Sequence, residues 1–262
     1  MNSLAKIVKY SFYDILRSWW VLLYGLFFLA ITSTLLYFSG DFTKSLVSLL
    51  NVVLLLVPLI STVFGTMYFY NSREFTELLL AQPIKRSHIF LGQYLGLTIS
   101  LMLSFCLGIG LAFVVYAGTL EQSSHLFMLM LCGSLLTAIF TIVAFLVSVC
   151  FEDKIKGFGI AILIWLCAAV IYDGLFLAFL VVFNDYPLEK ASVGITLFNP
   201  IDLSRILILL RLETAALLGY TGAVFEKFFG TMQGTLISFT ALVLWIILPL
   251  ILFIRKVSHK DF

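Results

Sequence analysis

Charged residues are scarce in this sequence. Of 262 residues, 11% are Asp, Glu, Lys or Arg, where an ordinary soluble domain carries about 25%. A chain so poor in charge, and 62% hydrophobic, cannot cover itself with a water-facing surface. That excludes a soluble globular domain and puts lipid against much of the exterior. Cysteine is sparse as well. Cys106, Cys132, Cys150 and Cys167 stand singly in apolar stretches, so neither a disulfide framework nor a zinc site is indicated. There is no basic tract, and the formal net charge is only +2, so nothing points to nucleic acid as a partner. The G-x-x-x-x-G-K-[ST] phosphate loop is missing. If ATP supplies energy, another polypeptide must bind it. No Ser/His/Asp set or carboxylate pair can be placed at one membrane depth, so no catalytic residue is assigned. Met102 with Cys106 and Met128 with Cys132 share helix faces at i, i+4 and are soft-ligand types. Each pair offers only two ligands, and both residue types are common in apolar cores, so packing is favoured and no metal site is assigned.

Long apolar runs are what the sequence has instead. A hydrocarbon core of about 30 Å needs roughly 20 apolar helical residues. Six stretches qualify: Trp20–Phe38, Leu46–Tyr68, Leu91–Thr119, Leu126–Phe151, Gly157–Phe183 and Leu236–Ile254. Barrel strands would be shorter and would alternate, so the fold class is all-α integral membrane with six transmembrane helices. Five runs hold no charge; the fifth holds Asp173. The basic residues set the orientation. With the N-terminus inside, eleven Lys and Arg collect on the cytoplasmic side, against Lys44 alone in the two short outer loops. Both termini are expected in the cytoplasm. Residues 1–19 form an amphipathic interfacial helix, with Leu4, Val8, Phe12, Ile15 and Trp19 on one face and Lys6, Lys9 and Arg17 elsewhere, suited to anionic lipid headgroups. The whole chain, 1–262, reads as one transmembrane domain.

Two polar segments interrupt the runs. The first, SREFTELLLAQPIKRSHIFLGQYLG, begins at Ser72. Asn71 or Ser72 is placed to cap a short helix, and Glu74 suits its first turn. Phe75, Leu78 and Leu79 fall at i, i+3, i+4, and Glu77 lies between them. Pro83 ends the helix, while Lys85 and Arg86 mark the membrane boundary. So short a helix is unstable alone; its apolar face rests either on its own bundle or in the groove of a soluble partner. Gly92 and Gly96 follow as G-x-x-x-G, which permits close helix approach, either at a dimer seam or within the chain. The second segment, 184–235, is an outer loop with short helices. Asn199, Pro200 and Asp202 suit a helix start, with the helix reaching to about Leu218. Arg205, Arg211 and Glu213 make it a poor seventh span, so it is placed at the outer interface, half submerged or re-entrant. Asp173 is either functional, on an ion path or at a conformational switch, or a protonated residue bonded to Ser, Thr or Tyr in the bundle.

The first segment resembles the coupling-helix region of type-2 ABC exporter permeases: an acidic residue (Glu74 or Glu77), a Leu-rich helix, Pro83 with Lys85 and Arg86, then Gly92. An N-terminal amphipathic helix, six spans and a long loop before the last span extend the likeness along the chain. Asn199, Pro200, Asp202 and Arg205, with Asp173 in the fifth span, are similar to the NosY-type permeases of nitrous-oxide reductase maturation transporters. The resemblance implies that residues 71–83 form a cytoplasmic coupling helix, contacted through Phe75, Glu77, Leu78 and Leu79. It implies a homodimer in the inner membrane with a cytoplasmic NosF-like ABC ATPase that holds ATP and Mg, leaving this chain without a cofactor. It also implies a periplasmic NosD-like partner for the outer loop and a role in copper-site assembly. A membrane scaffold without a transport cycle, and an integral membrane enzyme acting on lipid, are the alternatives.

Overall fold

The computed structural model describes residues 3–39, 42–116, 123–183, 189–211 and 232–259. Among them every regular element is a helix, as the unbroken apolar runs require. The chain runs α1 (Ser3–Leu16), α2 (Trp19–Ser39), α3 (Phe42–Asn71), α4 (Arg73–Leu80), α5 (Arg86–Tyr116), α6 (Ser123–Cys150) and α7 (Lys154–Leu166). A π-helical turn, Cys167–Ile171, leads into α8 (Tyr172–Val182), followed by α9 (Glu189–Leu197), α10 (Pro200–Arg211) and α11 (Met232–His259). Six helices are long and apolar enough to cross a membrane: α2, α3, α5, α6, the continuous α7–α8 and α11. Trp20–Phe38, Leu46–Tyr68 and Leu236–Ile254 sit inside their helices, Leu126–Phe151 and Gly157–Phe183 run one residue past theirs, and the end of Leu91–Thr119 lies outside the described residues.

α6 is the most enclosed span and α7–α8 the least. Around α6, Phe145 meets Phe69 of α3 edge-on at 5.5 Å and Phe253 of α11 at 5.8 Å, and Phe90 of α5 meets Phe253 at 6.1 Å. These rings tie the last helix to the α4 end of the bundle. Edge-to-face pairs of this kind add about 0.5–1.5 kcal/mol each beyond simple burial.

α5 is notched by glycines on the side where α1 and α2 cross it. A Cβ on Gly92 would lie 2.6 Å from Ile7 Cγ2, and one on Gly96 would lie 2.6 Å from Ser11 Cβ. Farther along, a Cβ on Gly108 would lie 2.5 Å from the Gly25 carbonyl oxygen of α2. The G-x-x-x-G pair is therefore filled from within the chain, by α1. This docking also corrects the expected face of the first helix. Its buried stripe is Ile7, Ser11 and Ile15, with Leu4, Val8 and Phe12 half-buried, while Trp19 belongs to α2 and is exposed. Ile7 and Ser11 turn inward because they are the residues that meet the two glycines.

α9 and α10 are bent against each other by 115°. α10 does not lie on the surface. Ile201, Leu203, Ser204, Leu207 and Ile208 are almost wholly buried, packed among α3, α6 and α11. The bent pair has the form of either a broken span or a re-entrant loop. Continuation of this helix past Arg211, Glu213 included, lies outside the described residues, as does the side chain of Arg211.

Candidate functional site

Polar side chains gather at two places, one at each end of the bundle. The first surrounds α4. Ser72 precedes the helix at the N-cap position but makes no side-chain cap; its hydroxyl donates instead to the Phe69 carbonyl at 3.3 Å. Glu74 stands in the first turn, where the helix dipole favours it. The chain leaves the helix at Ala81, two residues before Pro83, and Lys85 and Arg86 bring it to the start of α5.

The two sides of α4 differ sharply. On the inner side, the Phe75 ring stacks on Tyr10 of α1 at 4.9 Å. Thr76 is buried, and its hydroxyl accepts a hydrogen bond from Gln93 Nε2 of α5 at 2.8 Å. Leu79 and Leu80 pack against the core. On the outer side, Leu78 is 69% exposed, and Arg73 pairs with Glu77 at 3.2 Å with both side chains half exposed. The expected contact set is thus divided: Phe75 and Leu79 face the protein, while Glu77 and Leu78 face away from it. Sequence reading did not find Thr76, Gln93 or Tyr10 as partners of this helix. Tyr10 alone left a trace, as an aromatic ring on the charged side of an amphipathic helix.

The second gathering joins the fifth span to the bent pair. Residues 154 to 173 rise about 28 Å at 1.5 Å each, so Asp173 lies far from the α4 end. Its carboxylate accepts a hydrogen bond from Arg205 Nη1 at 2.8 Å, and the same nitrogen reaches Asp202 Oδ1 at 3.1 Å. Asn199 completes the group: its Nδ2 donates to Asp202 Oδ2 at 2.9 Å and to the Ala168 carbonyl at 2.8 Å, while its Oδ1 accepts from Ile201 N at 3.1 Å as an N-cap. Pro200 opens α10, where its missing N–H costs nothing.

The π turn makes the Ala168 contact available. The Tyr172 N–H bonds to the Cys167 carbonyl, five residues back; in an α-helix it would have gone to Ala168. That diverted bond opens the Ala168 oxygen to the Asn199 amide. The sharp bend frees further backbone groups, and side chains of other helices meet them. Tyr172 hydroxyl donates to the Ile195 carbonyl, and Trp245 Nε1 of α11 donates to the Leu197 carbonyl at 3.3 Å. Irregular backbone at membrane depth needs such partners. The sequence named Asp173, Asn199, Asp202 and Arg205 but assigned Asp173 to a separate question; the structure brings all four together. The π turn left no sequence signal, because the run through it is uniformly apolar.

Two carboxylates on one guanidinium leave an excess of one negative charge when both are ionised. Asp173 and Arg205 keep 29% and 31% of their side-chain surface exposed. At the α4 end Ser3 Oγ of α1 lies 3.0 Å from His88 Nδ1 of α5, and among the described residues no group of three metal-ligating side chains occurs. Both gatherings are built to hold helices together.

No family model matches the chain. Two curated relatives are each described as the probable ABC transporter permease protein NosY. That of Stutzerimonas stutzeri is 27% identical over 225 residues, covering 79% of this chain and 81% of the relative. That of Pseudomonas aeruginosa is 25% identical over 227 residues, covering 80% of this chain and 82% of the relative.

Proposed function

From its kinship with the NosY-type ABC transporter permeases, we propose that this chain is moved by a separate cytoplasmic ATPase through α4, its coupling helix. The observation that carries the reading is the division of α4 into a bound face and a free one. An eight-residue helix has no stability of its own in water. α1 and α5 hold it rigid, and exposed Leu78, next to Glu77 and one turn after Glu74, is the apolar anchor for a groove. A push on α4 reaches α1 through the Phe75–Tyr10 stack and α5 through the Thr76–Gln93 bond. Gly92 and Gly96 keep those two helices in direct contact, so they move as one body. The eleven basic residues counted on this side of the sequence support a cytoplasmic position for it.

The rest follows the same reading. ATP and Mg sit in the ATPase subunit, and the permease itself performs no chemistry. Two copies of the permease face each other through the side where Asp173 of α8 meets Arg205 of α10, because partly exposed ions at membrane depth avoid acyl chains. The bent pair passes the motion to a periplasmic, NosD-like partner. Copper-site assembly of nitrous-oxide reductase is the process that the NosY likeness suggests, in the inner membrane.

A pull-down in mild detergent through a C-terminal tag tests the motor connection. Wild-type chain should retain a P-loop ATPase, one per permease. Leu78→Asp should lower that retention at least about tenfold, or about 1.4 kcal/mol, with membrane insertion unchanged. Full retention by Leu78→Asp, or no ATPase on the wild type even after cross-linking, overturns the proposal.

A further inference from the structure

A cavity of about 660 Å³ opens where the end of α1 and the start of α2 meet the α4 end of α3. That volume is typical of small-ligand pockets. Its floor is apolar, with Val63, Phe64 and Leu97, and its rim carries Asp14 and Arg17. Trp20 also lines it, and a Trp at the first turn of a span marks the level where headgroups meet acyl chains. The cavity is thus polar at the water side and greasy beneath, the form that an amphiphile fills.

The rim is unusual in its charges. Asp14 in the last turn of α1 and Arg17 just past its end, where the Arg17 N–H still bonds the Tyr13 carbonyl at 3.1 Å, are three residues apart, the spacing of an ion pair. Yet among the described residues neither side chain is in an ion pair, with the other or with any third group. An unpaired carboxylate and an unpaired guanidinium at one mouth are complementary to a headgroup with one positive and one negative group. Guanidinium suits phosphate, and a carboxylate suits an ammonium that has N–H bonds to give.

We propose that this cavity binds a zwitterionic aminophospholipid of the phosphatidylethanolamine type. The phosphate lies on Arg17, the ammonium on Asp14, and the upper part of one chain covers Phe64 and Leu97. A purely anionic headgroup is disfavoured here because it would set negative charge beside Asp14. Lys6 and Lys9 line an adjoining shallow groove on α1 that shares Asp14 and Arg17 with the cavity, and Asp14 is the carboxylate common to both. The proposal is independent of the ATPase contact, since no residue of α4 lines the cavity.

The test is native mass spectrometry of the delipidated full-length chain titrated with phosphatidylethanolamine, phosphatidylcholine or phosphatidylglycerol. Wild-type protein should bind one phosphatidylethanolamine more tightly than either other lipid. Arg17→Gln should weaken all three, by about tenfold or more. Asp14→Asn should weaken phosphatidylethanolamine alone and abolish its preference over phosphatidylcholine, whose nitrogen has no N–H. Met67→Trp, which fills the cavity, should prevent binding while the protein keeps its melting temperature. Equal or tighter binding of phosphatidylglycerol, or unchanged phosphatidylethanolamine binding in a folded Met67→Trp protein, overturns the proposal. So does shielding of a Met67→Cys thiol by the ATPase or a second copy while added lipid leaves it open.

Discussion

Asn199 makes three hydrogen bonds, to Ala168, Asp202 and Ile201, and so joins a backbone defect in one helix to the first turn of another. Beside it, Arg205 serves two carboxylates at once. The two kinds of charge loss should therefore differ in cost. Arg205→Leu leaves Asp173 and Asp202 facing each other without a cation. Removing one partner of a buried pair costs about 3–5 kcal/mol, and the partial exposure here puts the expected loss toward the lower end. Asp173→Asn keeps a hydrogen-bond acceptor for Arg205 and leaves one carboxylate for one guanidinium, so it should cost under about 1 kcal/mol. Thermal unfolding in detergent should show a drop of several degrees for the first variant and little change for the second. The identity of these residues was legible in the sequence, because ions are rare in an apolar chain. Their mutual contact was not, since 26 residues separate Asp173 from Asn199 and the geometry depends on a bend and a π turn that composition does not encode.

At the scale of elements, α1 and α4 are both too short or too polar to stand without α5. α5 accepts α1 through two missing side chains, and holds α4 through one amide. Gly92→Val would place a Cβ 2.6 Å from Ile7 Cγ2, with two more carbons behind it. Overpacking of this kind costs about 1–3 kcal/mol, and α1 should lift from α5. A cysteine at Ser11, which is wholly buried in the native chain, should then label with a soluble maleimide in the Gly92→Val background and resist it otherwise. Loss of α1 also removes Tyr10 from beneath Phe75, so ATPase retention should fall in the same variant. Helix existence and order were readable from the apolar runs, and α10 begins at Pro200, where the Asn-Pro-x-Asp pattern put its start. The inward face of α1 was read about one residue out of register. Hydrophobicity alone ranks Ser11 as a surface residue, whereas the glycine opposite makes a small side chain the one that fits.

For the molecule as a whole, the side of the membrane on which each end lies can be checked with a native thiol. Cys150 is exposed at the foot of α6, and nearby the Tyr70 hydroxyl of α3 donates to the Phe151 carbonyl at 2.7 Å. This is the α4 end. An impermeant maleimide should label Cys150 in inside-out vesicles and not in intact spheroplasts, with Cys150→Ser as the control. Labelling only from outside would invert the orientation and remove α4 from the reach of any cytoplasmic ATPase. Six spans and two polar segments could be read directly, because the bilayer sets helix length and punishes charge. The packing of the spans could not, since every face of such a helix is apolar and lipid accepts them all equally.

The placement of α10 also bears on the order in which the chain is made. Charges such as Asp202 and Arg205 cost about 2.5–3.5 kcal/mol each when a helix enters the bilayer centre alone. Their partner Asp173, the Ala168 carbonyl and the walls supplied by α3 and α6 are all synthesised earlier. Only α11, which brings Trp245 to the Leu197 carbonyl, comes later. The bent pair is thus threaded into a slot that is nearly complete before it arrives, and a nascent chain halted before residue 232 would hold that slot open on one side.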